Sequence, residues 1–177
     1  SNAIMGANFE FQGVSAHAGG CPYLGRSALD AVELMNVGCN YLREHMIPEA
    51  RIHYAYIDAG GTAPNVVQDH AVIRYEVRAP WVSQTKELFE RVKNLARGAA
   101  IMTDTTMTCD LSMAFTEYIP NNALAEVADE CLKEVGAPKW EESDYAMARE
   151  FLHTYHGATM ESIKKQIVET YGEDRLE

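Results

Sequence analysis

Two hydrophobic periods alternate along the first two-thirds of this chain, and their order limits the fold more than any other feature. Residues 8–13 alternate apolar with polar, the period of two that a strand with one buried face requires. From Ala28 the spacing changes to three and four. Ala28, Ala31, Val32, Met35, Cys39, Leu42 and Met46 line one side of a helix that Ser27 can cap, with Asp30 three places on, and that stops before Pro48. Gly38 inside it costs a helix about 1 kcal/mol against alanine, which predicts a close contact at that point. Period two returns over residues 51–58, with Ile52, Tyr54 and Tyr56 on one side, and over about 71–78, with Ile73, Tyr75 and Val77 opposed to Arg74, Glu76 and Arg78. A second helix follows Pro80 and Ser83, with Leu88, Val92, Leu95, Ala96 and Ala99 as its stripe. Met107, Cys109, Leu111, Met113 and Phe115 then alternate with Thr106, Thr108, Asp110 and Ser112 as a fourth strand.

The order is β-α-β-β-α-β, with one apolar face per strand. It predicts an α+β fold, a ferredoxin-like sandwich in which two helices cover one face of a four-stranded antiparallel sheet. In that topology the strand over 51–58 lies at a sheet edge, and its apolar face predicts pairing with a second copy. After Phe115 the pattern is helical only: a stretch capped by Asn122 and ended by Gly136 and Pro138, another capped by Ser143 and running through His153, and a third capped by Thr159. The break between them falls near Tyr118-Ile119-Pro120.

Charge narrows the classes of partner. Fifteen Lys and Arg stand against twenty-six Asp and Glu, a formal charge of −11 without a basic cluster, which argues against nucleic acid and against an anionic membrane surface. No apolar stretch approaches the roughly 18 residues of a membrane span. Cys21, Cys39, Cys109 and Cys131 lie 18, 70 and 22 positions apart, without a C-x-x-C. Cys39, Cys109 and Cys131 fall on apolar faces and read as buried thiols of a reducing, cytoplasmic setting; Cys21, in a loop, has no assigned role. Ser1-Asn2-Ala3 reads as the scar of a purification tag, and Ile4 rather than Met follows it. The expected organisation is therefore a scar over 1–3, a sandwich domain over 4–117 and a helical segment over 118–177, together a piece of a longer protein.

Most polar clusters have an ordinary explanation. His153 and His156 have helical spacing but no third ligand, and Glu141-Glu142 suits the start of a helix. Gly19-Gly20 leads into Cys-Pro rather than a helix and makes no phosphate cradle. His17 in Ser-Ala-His-Ala-Gly-Gly, Asn65 after Gly60-Gly61-Thr-Ala-Pro, and Arg78 ending its strand stand outside the core pattern. A histidine, an amide and a guanidinium suit an oxyanion and a carboxylate.

These same segments carry a resemblance. The run from Gly13 through Val-Ser-Ala-His17-Ala-Gly-Gly-Cys-Pro-Tyr-Leu-Gly-Arg-Ser-Ala-Leu-Asp-Ala-Val resembles the opening of the lid, or dimerisation, domain of the zinc amidohydrolase and carboxypeptidase family. That family includes aminoacylases, carboxypeptidase G and aminobenzoyl-glutamate hydrolases. Gly60-Gly-Thr-Ala-Pro-Asn65-Val-Val and the strand ending at Arg78, thirteen positions after Asn65, look like its second and third signatures, with Gln68 where many members have Pro. The stretch Gly-Arg-Ser-Ala-Leu-Asp-Ala-Val-Glu-Leu-Met-Asn-Val-Gly is most similar to the aminobenzoyl-glutamate branch. The resemblance covers about residues 7–116.

The resemblance implies a longer hydrolase that cleaves the amide bond of an acyl- or aminobenzoyl-amino acid with two zinc or other divalent ions. It implies that His17 stabilises the oxyanion in a partner subunit's active site, and that Asn65 and Arg78, with the loop of Gly60 and Gly61, contact the substrate. It further implies a homodimer built through the lid, with a second type of hydrolase subunit as a further partner. In the family the metal ligands lie before and after the lid, so this part is expected to hold no catalytic metal and to be inactive alone. The competing expectation is a non-enzymatic ferredoxin-like module that binds a ligand or dimerises.

Overall fold

The computed structural model describes residues 2–155 and 157–173, in two compact units that divide between Ile119 and Pro120. The first unit contains β1 (Ala3–Gln12), β2 (Ala16–His17), α1 (Ala28–Leu42), β3 (Arg51–Asp58), β4 (Val66–Val67), β5 (His70–Ala79), α2 (Val82–Thr103) and β6 (Thr106–Phe115). Four strands form an antiparallel sheet in the order β3-β5-β1-β6, and β2 pairs with β4 in a separate short ribbon. This is the expected sandwich, with β3 and β6 as its edges.

Alternation places the core. Ala7, Phe9 and Phe11 of β1 and Ala71, Ile73, Tyr75, Val77 and Ala79 of β5 are buried, facing Ala31, Val32, Met35 and Cys39 of α1 and Leu88, Phe89, Val92 and Ala96 of α2. Each fully buried large side chain contributes roughly 1.5–3 kcal/mol of apolar transfer. Phe9 and Tyr75 meet edge to face, with centroids 5.9 Å apart. Gly38 does permit a close approach: a Cβ there would fall 3.0 Å from Leu95 Cδ2 of α2. The opposite sheet face is polar over its middle, where Arg74 Nε donates to Asn8 Oδ1 at 2.9 Å.

Element ends and faces differ from the periodic reading in places. β1 begins at Ala3, which is buried and pairs with Ala79, because the ladder continues through Ile4–Ala7 where both faces are apolar or small and alternation is hidden. α1 stops at Leu42. Its next turn tightens into a 3-10 helix over Arg43–His45, so Met46 packs on the core from outside the helix. A bulge in β6 lets Met113 pair with Gly6 and Leu111 with Ala7, leaving Ser112 over. Met107, Cys109 and Leu111 therefore lie on the helix side, whereas Met113 and Phe115 shift to the open face. Met113 lies across Gly6, where a Cβ would fall 2.8 Å from its Cγ.

The second unit holds α3 (Asn122–Val135), α4 (Glu142–His153) and α5 (Met160–Tyr171). Ser27 and Thr159 cap α1 and α5 as the sequence predicts. The cap of α3 is Asn121 rather than Asn122, its side chain accepting from Leu124 N at 3.0 Å, and the cap of α4 is Glu141 rather than Ser143, which lies inside the helix. None of the three helices has a buried residue; Leu124, Val127, Leu132 and Val135 of α3 are exposed. Cys131 is accordingly exposed and not a buried thiol, Cys39 is fully buried, and Cys21 and Cys109 are intermediate. Burial pushes the Cys39 thiol up to about 11. No helix among the described residues is long and apolar enough to cross a membrane.

Candidate functional site

His17 and Asn65 come together through the ribbon. Neither two-residue strand is long enough to show a period, so both segments read as loops in the sequence. In the structure Ala16 pairs with Val67 and His17 with Val66, and Ala18 N donates to Asn65 O at 2.9 Å. Gly60 and Gly61 open the loop to Asn65 at φ +84° and +94°, the left-handed region that glycine allows. Asp58 Oδ1 accepts from Gly60 N at 2.9 Å and fixes this turn.

The His17 ring is held in one tautomer. Gly19 N donates to Nδ1 at 3.1 Å, which occupies the Nδ1 lone pair and leaves the hydrogen on Nε2. Side chains at Gly19 and Gly20 would crowd the ring, since a Cβ at either would lie 3.2 or 3.3 Å from it. His17 and Asn65 are both exposed. The pair therefore presents an N–H donor and an amide to solvent, with the ring orientation set from behind.

The loop that carries His17 is tied down at its far leg. Val14 and Arg26 exchange backbone bonds of 2.8 and 2.9 Å, and Arg26 Nε donates to Asp104 Oδ2 at 2.8 Å. Asp104 caps α2 at φ 54°, so the loop is anchored to a helix end. Arg26, Asp58, Glu10 and His70 are supports that motif reading missed. The Asp58-x-Gly60 turn was a visible signal; the others depend on partners up to 78 positions away.

Arg78 is not part of this group. It lies eight positions along β5 from His70, roughly 26 Å at about 3.3 Å per residue. It pairs across the sheet with Ile4 and Arg51, beside the ends of β1 and β6, and its guanidinium lies 3.4 Å from Glu76 Oε2. One protomer thus holds His17 with Asn65 at one end of the sheet and Arg78 at the other. Among the described residues, no three His, Cys, Asp or Glu side chains are grouped as a metal site needs. His153 ends α4, Glu142 pairs with Arg149, and His156 lies outside the described residues.

Four antiparallel strands covered on one face by two helices place the first unit among ferredoxin-like α+β sandwiches. Residues 2–102 match the peptidase dimerisation domain (M20), and the chain belongs to that family.

More particular likenesses lie within it. The chain is 40% identical over 172 residues to a p-aminobenzoyl-glutamate hydrolase subunit of Escherichia coli K12, covering 97% of this chain and 36% of that protein. It is 32% identical over 129 residues to the Xaa-Arg dipeptidase of Mus musculus, covering 72% of this chain and 30% of that protein. Among solved structures, the aminobenzoyl-glutamate utilization protein from Klebsiella pneumoniae aligns with a TM-score of 0.62 and 28% identity over 76% of this chain and 34% of that one. The chain spans about a third of the length of these relatives.

Proposed function

We propose that this chain is the dimerisation and substrate-contacting part of a longer, metal-dependent amidohydrolase that cleaves the amide bond of an acyl- or aminobenzoyl-amino acid. The carrying observation is the separation of Arg78 from His17 and Asn65 along β5. Arg78 stands roughly 26 Å along β5 from His70, the end of the strand to which the Asn65 loop returns, too far for one small substrate to reach both ends within one protomer. Arg78 stands beside the strand ends Ala3 and Phe115, and in this reading it serves a site in its own subunit. His17 and Asn65, at the far end, serve the site of the partner.

In this reading the metal ions, two zinc or other divalent cations, are held by parts of the parent outside this chain; among the described residues no three His, Cys, Asp or Glu side chains are grouped to hold one. The ions supply activation of a water. Proton transfer from that water and to the leaving amine falls to the catalytic part of the parent, and the groups of this chain bind and polarise the substrate. The Nε2–H of His17 donates to the oxyanion that forms as the amide carbonyl is attacked, the Asn65 amide orients the substrate, and Arg78 binds its carboxylate with a planar fork. The 40% identity to a hydrolase component supports the substrate class.

The second copy is the same chain, paired through β3. That edge offers eight residues with an unpaired outer side, and Tyr54 and Tyr56 are 40% and 39% exposed while Ile52 is covered at 4%. The uncovered apolar stripe of α3 suits a segment that packs on the catalytic part of the parent. A cytoplasmic setting accords with the free cysteines.

Hybrid dimers test the reading. In the full-length parent, His17→Ala lowers kcat about 10²–10³-fold with little change in KM, the loss of one oxyanion donor. Mixing His17→Ala subunits with subunits inactivated at the metal site restores activity, since one hybrid site has both an intact metal centre and an intact His17. Heterodimers that form but stay inactive overturn the trans assignment, and a parent that hydrolyses no acyl- or aminobenzoyl-amino acid favours a binding module instead.

A further inference from the structure

One cluster of titratable groups on the open face of the sheet has no part in the chemistry proposed above. His70, the first residue of β5, stands between carboxylates of both neighbouring strands. Its Nε2 is 2.9 Å from Glu10 Oε1 on β1, and its Nδ1 is 3.2 Å from Asp58 Oδ2 on β3. A neutral imidazole has one N–H and would turn a lone pair toward one of these carboxylates. Only the imidazolium donates to both. The Glu10 hydrogen bond, reinforced by Asp58, raises His70 above the ordinary histidine value, while the Gly60 N–H and then His70 hold Asp58 below its usual range. The His70 side chain is itself half-exposed on this face. Gln12, opposite His70 on β1, is neutral, and the preceding Asp69 is exposed and gives its carbonyl to Gly13 N at 2.7 Å.

The cluster grips the root of the loop that ends at Asn65. Asp58 holds His70 with one oxygen and Gly60 N with the other. A Cβ on Gly60 would fall 2.6 Å from both Gln68 Cβ and His70 O, so the two legs of the loop touch at this point. The returning leg is also bonded to the His17 segment: Gly13 N donates to Asp69 O and Ala28 N to Gln68 O, at 2.7 and 2.8 Å.

We propose that His70 is a positioning residue: as the imidazolium it clamps Asp58, and through it the Gly60 turn, so that Asn65 and its ribbon partner His17 stand in register, and on losing its proton it releases one leg of that loop. The consequence for substrate rests on the function proposed above; the clamp does not.

The clamp is read in the 177-residue chain, whose first unit has its own core. Imidazole nitrogen shifts follow the protonation of His70, and amide exchange corrected for intrinsic rate follows the loop. Protection at Gly60 and Ala18 falls at least about threefold as His70 deprotonates, the scale of one half-exposed ion pair, while Ile73 in mid-β5 is unchanged. Protection that stays flat while the ring loses its proton overturns the proposal. His70→Gln keeps a donor but no charge, so it shows the low protection at every pH; a surviving pH step in that variant also overturns it. In the parent, kcat falls over the same pH interval in the wild type and shows no such step in His70→Gln. An exchange step without a matching kcat step overturns the positioning role, and the hybrid-dimer result separately judges the hydrolase reading.

Discussion

Gly13 stands where β1 ends and the loop carrying His17 begins, and a methyl group there has no room. A Cβ at Gly13 would lie 1.9 Å from the carbonyl oxygen of Arg26, 2.9 Å from its carbonyl carbon and 3.2 Å from Ala28 N. All three are backbone atoms, so no rotamer change relieves the contact. Carbon atoms pack best at about 3.5–4.0 Å, and the Arg26 segment must therefore retreat by more than about 1 Å. That motion breaks the two bonds between Val14 and Arg26, of 2.8 and 2.9 Å, and loads the 2.8 Å bond from Ala28 N to Gln68 O. At about 1 kcal/mol net for each bond, Gly13→Ala costs about 2–3 kcal/mol. With a urea slope of about 1–3 kcal/mol/M the midpoint falls by roughly 0.7–3 M, followed at the amide resonances of Phe9 and Ile73. Gly98→Ala is the control. Nothing lies within 4 Å of a Cβ there, in mid-α2, so the same chemical change stabilises by about 0.5–1 kcal/mol. A Gly13→Ala variant within about 0.5 kcal/mol of wild type, an ordinary surface effect, with unshifted Val14 and Arg26 amides, would refute the steric reasoning.

Two further outcomes follow from the charged groups. Because folding raises the pKa of His70, its stabilisation is full below its ordinary 6.5 and is lost as pH rises through the raised folded value; Asp58, lowered in the fold, contributes above its ordinary 3.8 and loses that contribution as pH falls through its lower folded value. The Tm of the first unit is therefore highest between those windows, and calorimetry of His70→Gln shows no alkaline decline from this group. In the parent, Arg78→Ala raises KM for a carboxylate-bearing substrate with kcat nearly held, since the guanidinium contacts ground and transition states alike; steady-state kinetics that lower kcat and leave KM unchanged contradict that role.

The period of two and the period near four, read residue by residue, were enough to name the sandwich, its buried faces and the edge position of β3. Both signals are local, because a residue's side of a strand or helix follows from its neighbours within a few positions. Glycines were legible for the same reason: Gly38 faces Leu95, and Gly60 and Gly61 take positive φ. His17, Asn65 and Arg78 stood out as polar residues at element ends, but nothing local says which of them meet.

Tertiary structure decided the pairings. The β2–β4 ribbon joins two segments some fifty positions apart with two residues each, too few to carry a pattern. Strand register puts Arg78 beside Ile4, at the opposite end of the sheet from His17, a separation that sequence spacing of thirteen from Asn65 conceals. The bulge at Ser112 turns Met113 and Phe115 to the face that alternation alone assigns to their polar neighbours. His70 gathers Glu10 from 60 positions before it and Asp58 from 12, because antiparallel closure of β1, β5 and β3 brings those three residues side by side. Periodicity records which side of an element meets the core. Which ends of the elements meet one another depends on register and chain reversal, and these exist only once the sheet has closed.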